Sequence, residues 1–145
     1  MSNFIGIRSQ LETIITAIMA SAGIASLYDY NPIELGSTPA VLILHNTSGE
    51  EINNTDETEL TVSYIIRVIV EGTNDRDTQT TKLLTLTDAI MAELRKDDNE
   101  TLSGNCHYFL AEHIESPADA EFAEMPVMFQ DIVINAKILK SISSP

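Results

Sequence analysis

The sequence predicts an α+β fold: a mostly antiparallel sheet of about five strands with two helices on one face, in the order α-β-β-β-α-β-β. Three observations predict it. Side chains alternate from Leu60 to Glu71 as they do along one long strand. A helical stripe follows directly, through Leu83, Leu86, Ile90 and Leu94. An earlier segment repeats Ile7, Leu11, Ile14, Ile15 and Ile18 at helical spacing. Two such helices each need an apolar surface to lie on, and one sheet supplies it.

The first helix is expected from about Phe4 to Ser21, ended by Gly23. Its face with Arg8, Glu12 and Thr16 should see water or a neighbour. Ile24 to Tyr30 reads as a short strand that stops at Asn31-Pro32, because the residue before a proline disfavours continuation. Ile33 to Thr38 is a loop. Pro39 to His45 is a second strand, with the proline at its start, where a missing N–H is tolerated. Asn46 to Glu59 is polar and acidic and reads as a long connection; loops beyond about 12 residues are uncommon unless functional or disordered.

In the central strand, Leu60, Val62, Tyr64, Ile66, Val68 and Val70 share one face. Thr61, Ser63, Ile65, Arg67, Ile69 and Glu71 share the other, which is mixed. At about 3.3 Å per residue the strand reaches roughly 40 Å. A strand of that length overruns a compact core, so it arches or offers an edge. The chain turns at Gly72 to Asp75. Asp75 or Asp77 then caps the second helix, Arg95 and Lys96 occupy its last turn, and Asp97-Asp98-Asn99 breaks it. Cys106 to Glu115 is a fourth strand and Met128 to Lys140 a fifth. The connector between them, Ser116 to Val127, is also long and exposes Phe122 and Met125 among acids. Ser141 to Pro145 should fray.

At 145 residues, with 43% hydrophobic and 21% charged, the chain is expected to form a single domain over 1–145. The net charge of -14 is less ordinary. It argues against binding nucleic-acid phosphate, because eight scattered basic residues form no patch to displace counterions. An anionic membrane is disfavoured for the same reason. The lone Cys106 allows no internal disulfide and no thiolate metal cluster. No signal peptide is expected, and no apolar run reaches the roughly 18 residues of a membrane span.

Patterns that carry chemistry are missing. There is no Gly-x-Ser-x-Gly, no phosphate-cradling glycine loop and no His-Glu-x-x-His. His107 and His113 fall on one strand face but roughly 20 Å apart, too far for one ion. The acidic runs at Asn74 to Asp77 and Asp97 to Glu100 lack the glycine and glutamate of a calcium loop. Helix capping and solvated turns explain both. A carboxylate pair for acid–base work is left open by sequence spacing, though nothing favours it. The expectation is a non-enzyme with no cofactor and no metal. What remains are surfaces: the Asn46 to Glu59 loop, the Ser116 to Val127 connector and the long strand.

Taken together, the leading helix, the Pro39-Ala40-Val41 strand opening, the acidic loop, the strand ending Ile66-Arg67-Val68-Ile69-Val70-Glu71, the Asp75 to Lys96 helix and the last two strands resemble the tail terminator, or tail completion, proteins of tailed bacteriophages. The likeness spans nearly the whole chain and is one of element order and texture. It implies a structural virion protein of the tail or neck, assembled in the cytoplasm of the bacterial host. Such a protein forms a ring of its own copies, a hexamer. The ring caps the tail tube, ends tube polymerisation and joins the tail to the head connector or head-closure protein. DNA passes the lumen without specific binding. In that setting Glu50, Glu51, Asp56 and Glu57 are expected at the lumen or a subunit interface, where acids repel DNA phosphate. Phe122, Glu124 and Met125 are expected to contact a partner. A head-closure or head–tail joining neck protein shares the same logic. An acidic DNA mimic is the reading of another class, and it would work as a monomer or dimer.

Overall fold

The computed structural model describes residues 3–52, 57–72, 75–96, 99, 101–102, 104, 106 and 108–141. Its elements are α1 (Asn3–Ala22), β1 (Ser26–Tyr28), β2 (Ala40–Ile52), β3 (Glu57–Glu71), α2 (Arg76–Leu94), β4 (Tyr108–Ile114), β5 (Ala118–Phe122) and β6 (Met125–Ser141). The expected order holds, with β5 added from the connector. One sheet runs β1-β2-β3-β6-β4, and β5 also pairs with β6. Among the described residues, the β1–β2 pair is parallel and the other strand pairs are antiparallel.

The long alternating strand is the centre of this sheet. Every residue of β3 is paired with β6, from Glu57 opposite Ser141 to Glu71 opposite Val127. Leu60, Val62, Tyr64, Ile66, Val68 and Val70 are all buried in the main core. They meet Ile7, Leu11, Ile14 and Ile15 of α1 and Leu83, Leu86, Ile90, Met91 and Leu94 of α2. Both helices therefore lie on one face. Each aliphatic side chain buried there contributes about 1.5–3 kcal/mol.

Local signals set the helix ends. Gly23 has a φ of 77° and follows the last residue of α1; Ile24 N–H donates to Met19 C=O at 2.9 Å, closing a Schellman turn. Asp75 caps α2. One of its carboxylate oxygens accepts from the Thr78 N–H at 3.2 Å, the other from the Thr78 hydroxyl at 2.7 Å. Hydrogen bonds from that hydroxyl, and then from that N–H, hold the Asp75 carboxyl below its ordinary pKa. Thr87 is buried on α2 because its hydroxyl donates to the Leu83 carbonyl at 3.0 Å. Beyond the helix, the Asn99 amide donates to the Glu93 carbonyl at 2.8 Å and satisfies one of the terminal acceptors.

Three expectations need correction. The described part of the Asn46 to Glu59 segment is strand rather than loop. β2 runs on to Ile52 and β3 starts at Glu57, so most of it is a two-stranded arm. Polar residues read as loop because neither strand there alternates with apolar side chains. A bulge between His45 and Ser48 also breaks the pattern. The Ser116 to Val127 connector is likewise mostly a hairpin of β5 and the start of β6. Finally, α2 ends at Leu94, so Arg95 is its C-cap and Lys96 lies past it, paired with Glu93 at 2.8 Å.

Candidate assembly surfaces

Among the described residues, no helix lies on the second face of the sheet. On β3, Arg67 stands directly opposite Asp131 of β6. The pair is bidentate: Nε donates to one carboxylate oxygen at 2.8 Å and the terminal nitrogen to the other at 2.9 Å. The guanidinium also lies 4.5 Å from the centroid of the Phe129 ring. The Asp131 hydrogen bond raises the Arg67 pKa against the opposing effect of burial, so the charge is fixed. Toward the arm, the Asn46 amide donates to the buried Ser63 hydroxyl at 3.2 Å, and the Lys137 ammonium donates to the Thr61 hydroxyl at 3.0 Å. This half of the face is polar and hydrogen-bonded between strands.

The other half is closed by a second, smaller core. Ala40, Leu42, Ile69 and Val127 are buried beneath Tyr28, Leu35, Phe122 and Met125. Two segments supply that cover. One is the connection of residues 29–39, braced by the Gly36 N–H donating to the Tyr28 hydroxyl at 2.9 Å and by Tyr28 meeting Tyr30 edge-on at 5.6 Å. Its outer side presents Ile33, 93% exposed, and Tyr30. The other is the β5–β6 hairpin, whose two-residue turn is Ala123-Glu124, with φ of 49° and 70°. Positive φ at both central residues is the hairpin geometry that asparagine and glycine favour. At the base of this hairpin a Cβ on Gly72 would come within 2.8–2.9 Å of the Val127 backbone, so only glycine permits the approach.

The expected site residues fall at two opposite ends of the sheet. Phe122 and Met125 are paired neighbours that flank the Ala123-Glu124 turn. They are half-buried on the second core rather than exposed in a loop, because the hairpin folds them onto the sheet. Glu124 is exposed at the turn itself. At the arm end, Glu50 is in register with Leu60, Glu51 with Glu59 and Glu57 with Ser141. Asp56 lies outside the described residues, as do His107 and the acids of the Asp97 to Glu100 run; of that run Asn99 is described. Cys106 is buried, which pushes its thiol up to about 11. Among the described residues no group of His, Cys, Asp and Glu gathers as a metal cluster. Among the described residues no helix is long and apolar enough to cross a membrane.

Sequence reasoning missed the Arg67–Asp131 pair and the exposed tip at Ile33. The first had a signal: each is the lone charge in an apolar stretch of a strand, Leu60 to Val70 and Val127 to Ala136. Two opposite charges placed so invite pairing, since a buried charge is retained only with a partner.

No protein-family model and no curated protein matches the chain. Among solved structures, the chain is similar to a chain from the virion of a native gene transfer agent (GTA) particle. The identity is 11% and the TM-score 0.55, and the match covers 92% of this chain and 94% of that one. At that identity the likeness is one of fold, and it extends over nearly the whole length of both chains.

Proposed function

We propose that this chain is a structural virion protein of a tailed phage or phage-like particle, and that it acts as a tail terminator. Copies close into a hexameric ring that seats on the tail tube, ends its polymerisation and meets the head connector. The observation that carries this reading is the end-to-end fold likeness to a virion chain. It agrees with the element order that resembles tail terminators and with a sequence lacking catalytic motifs. The net charge of -14 suits a ring through which DNA slides without binding.

On this reading Glu50, Glu51, Asp56 and Glu57 repel phosphate near the lumen or set spacing between neighbours. Phe122, Glu124 and Met125 form the contact with an axial partner. The turn supports the second assignment: Glu124 occupies a left-handed conformation that glycine would adopt at less cost, so a glutamate there suggests a task outside folding. The test is assembly of purified tail tube protein with and without this chain. Tubes should stop growing and carry one extra ring at one end. Tubes of unchanged length with bare ends contradict the proposal. Rings that bind the connector protein and ignore tubes favour the head-closure role instead.

A further inference from the structure

We propose that neighbouring copies join edge to edge, the open part of β2 in one copy pairing with β4 of the next to continue the sheet. This inference rests on the ring reading above and names the contact that closes it. β1 pairs with β2 only at Ala40 to Leu42. Among the described residues no strand lies along that side of β2 from Ile43 to Ile52, and none lies beyond β4 on the other side of the sheet. At one end of the sheet both flanks are covered, by β1 on β2 and by β5 on β6. At the other end both flanks are open.

The two open stretches lie at the same level. Following the register across the sheet, Ile43 aligns with Ile66, Ile132 and then Ile114. Gly49 aligns with Thr61, Lys137 and then Tyr108. The whole of β4 therefore stands level with the part of β2 that begins where β1 stops.

Strand direction agrees as well. β2 and β6 run one way, β3 and β4 the other. Turning a copy about an axis that runs along the strands keeps these directions, so β2 of one copy meets β4 of the next antiparallel. One copy supplies each side of the contact, which makes it heterologous, and heterologous contacts generate rings when the rotation closes.

Composition fits an edge meant to pair. Unpaired edges are usually blunted by charged side chains, lysine above all, or by proline. Neither Ile43 to Ile52 nor Tyr108 to Ile114 contains lysine or proline, and the charged residues in them are Glu50, Glu51 and Glu112. Tyr108 and Ile114, at the two ends of β4, are exposed. Each edge does carry one bulge, between His45 and Ser48 and between Ala111 and His113. Bulges bend a strand and raise its twist, which curves a sheet toward closure.

Hydrogen exchange, read residue by residue on the full chain before and after assembly, tests the contact. Alternate amides within Ile43 to Gly49 and Tyr108 to Ile114 should slow about tenfold, as expected when a solvated N–H gains a stable partner. A ring whose exchange slows elsewhere, for example around Ile33, and not along these edges overturns the edge contact and leaves the ring standing. A chain that stays single both in solution and on tail tubes overturns both. As an independent check, Tyr108→Lys with Ile114→Lys places cations on the edge at exposed positions. The variant should keep its thermal melt and lose the ring; a ring that persists in it contradicts the inference.

Discussion

Asp131→Ala leaves Arg67 charged and half-buried beside the Phe129 ring, without its carboxylate partner. Breaking such a pair from one side costs about 2–3 kcal/mol, because the remaining charge stays desolvated. Replacing both residues by leucine should cost less, since no orphan charge is left; urea unfolding of the three proteins measures the difference. Cys106 makes a second prediction at this scale. Burial raises its thiol from 9.0 to about 11. The unfolded chain then loses this proton before the folded chain does, so the contribution is complete below about pH 9 and is lost as pH rises toward 11. Burial raises the Tyr64 phenol in the same direction, against a smaller opposing effect from Arg8. Stability should fall over this alkaline window, and Cys106→Ala should flatten part of the fall. Asp75 acts at the other end of the scale. Its carboxyl is held low by Thr78, so its contribution is present above the ordinary carboxylate range and lost as pH falls through its folded value.

At the scale of elements, β3 and the two tight approaches around it decide the fold. Ile66→Ala removes a fully buried side chain from the centre of β3 and should cost about 2–5 kcal/mol. Gly72→Ala drives a methyl against the Val127 backbone and should cost about 1–3 kcal/mol through local displacement. Replacing Ala123-Glu124 with Asn-Gly relieves two left-handed residues and should gain about 1 kcal/mol while weakening any contact made by Glu124. β3 and α2 were legible because burial on one face writes its period into the sequence, in Leu60 to Val70 and in Leu83 to Leu94. The arm and the β5 hairpin were not. Their strands are held by backbone pairing with β3 and β6, which leaves no apolar alternation to read in Thr47 to Glu51 and, in Ala118 to Glu121, only small alanines alternating with acids. Phe122 and Met125 stand out in the sequence as apolar groups among acids, and the fold uses them in part to cover the second core. The Arg67–Asp131 pair was hidden because strand register, not sequence distance, brings the two together.

For the whole molecule, the 14 excess negative charges per chain oppose the gathering of copies. Self-association should therefore strengthen as salt rises from about 0.01 to 0.15 M, where the screening length drops from roughly 30 to 8 Å. A contact made by opposite charges would weaken over the same range, so sedimentation at the two salt concentrations separates them. In the proposed ring the sheet offers the means of assembly, two open edges at one level on its opposite flanks, and the excess of acid sets the conditions under which copies gather. The most direct test of the ring is the solution mass of the purified chain by light scattering, near 0.15 M salt, with negative-stain images of the same sample and of the chain mixed with tail tubes. The account predicts a particle of about six chains around a central hole, free or at a tube end. The mass of a single chain in solution, together with tubes that carry no added ring, would contradict it.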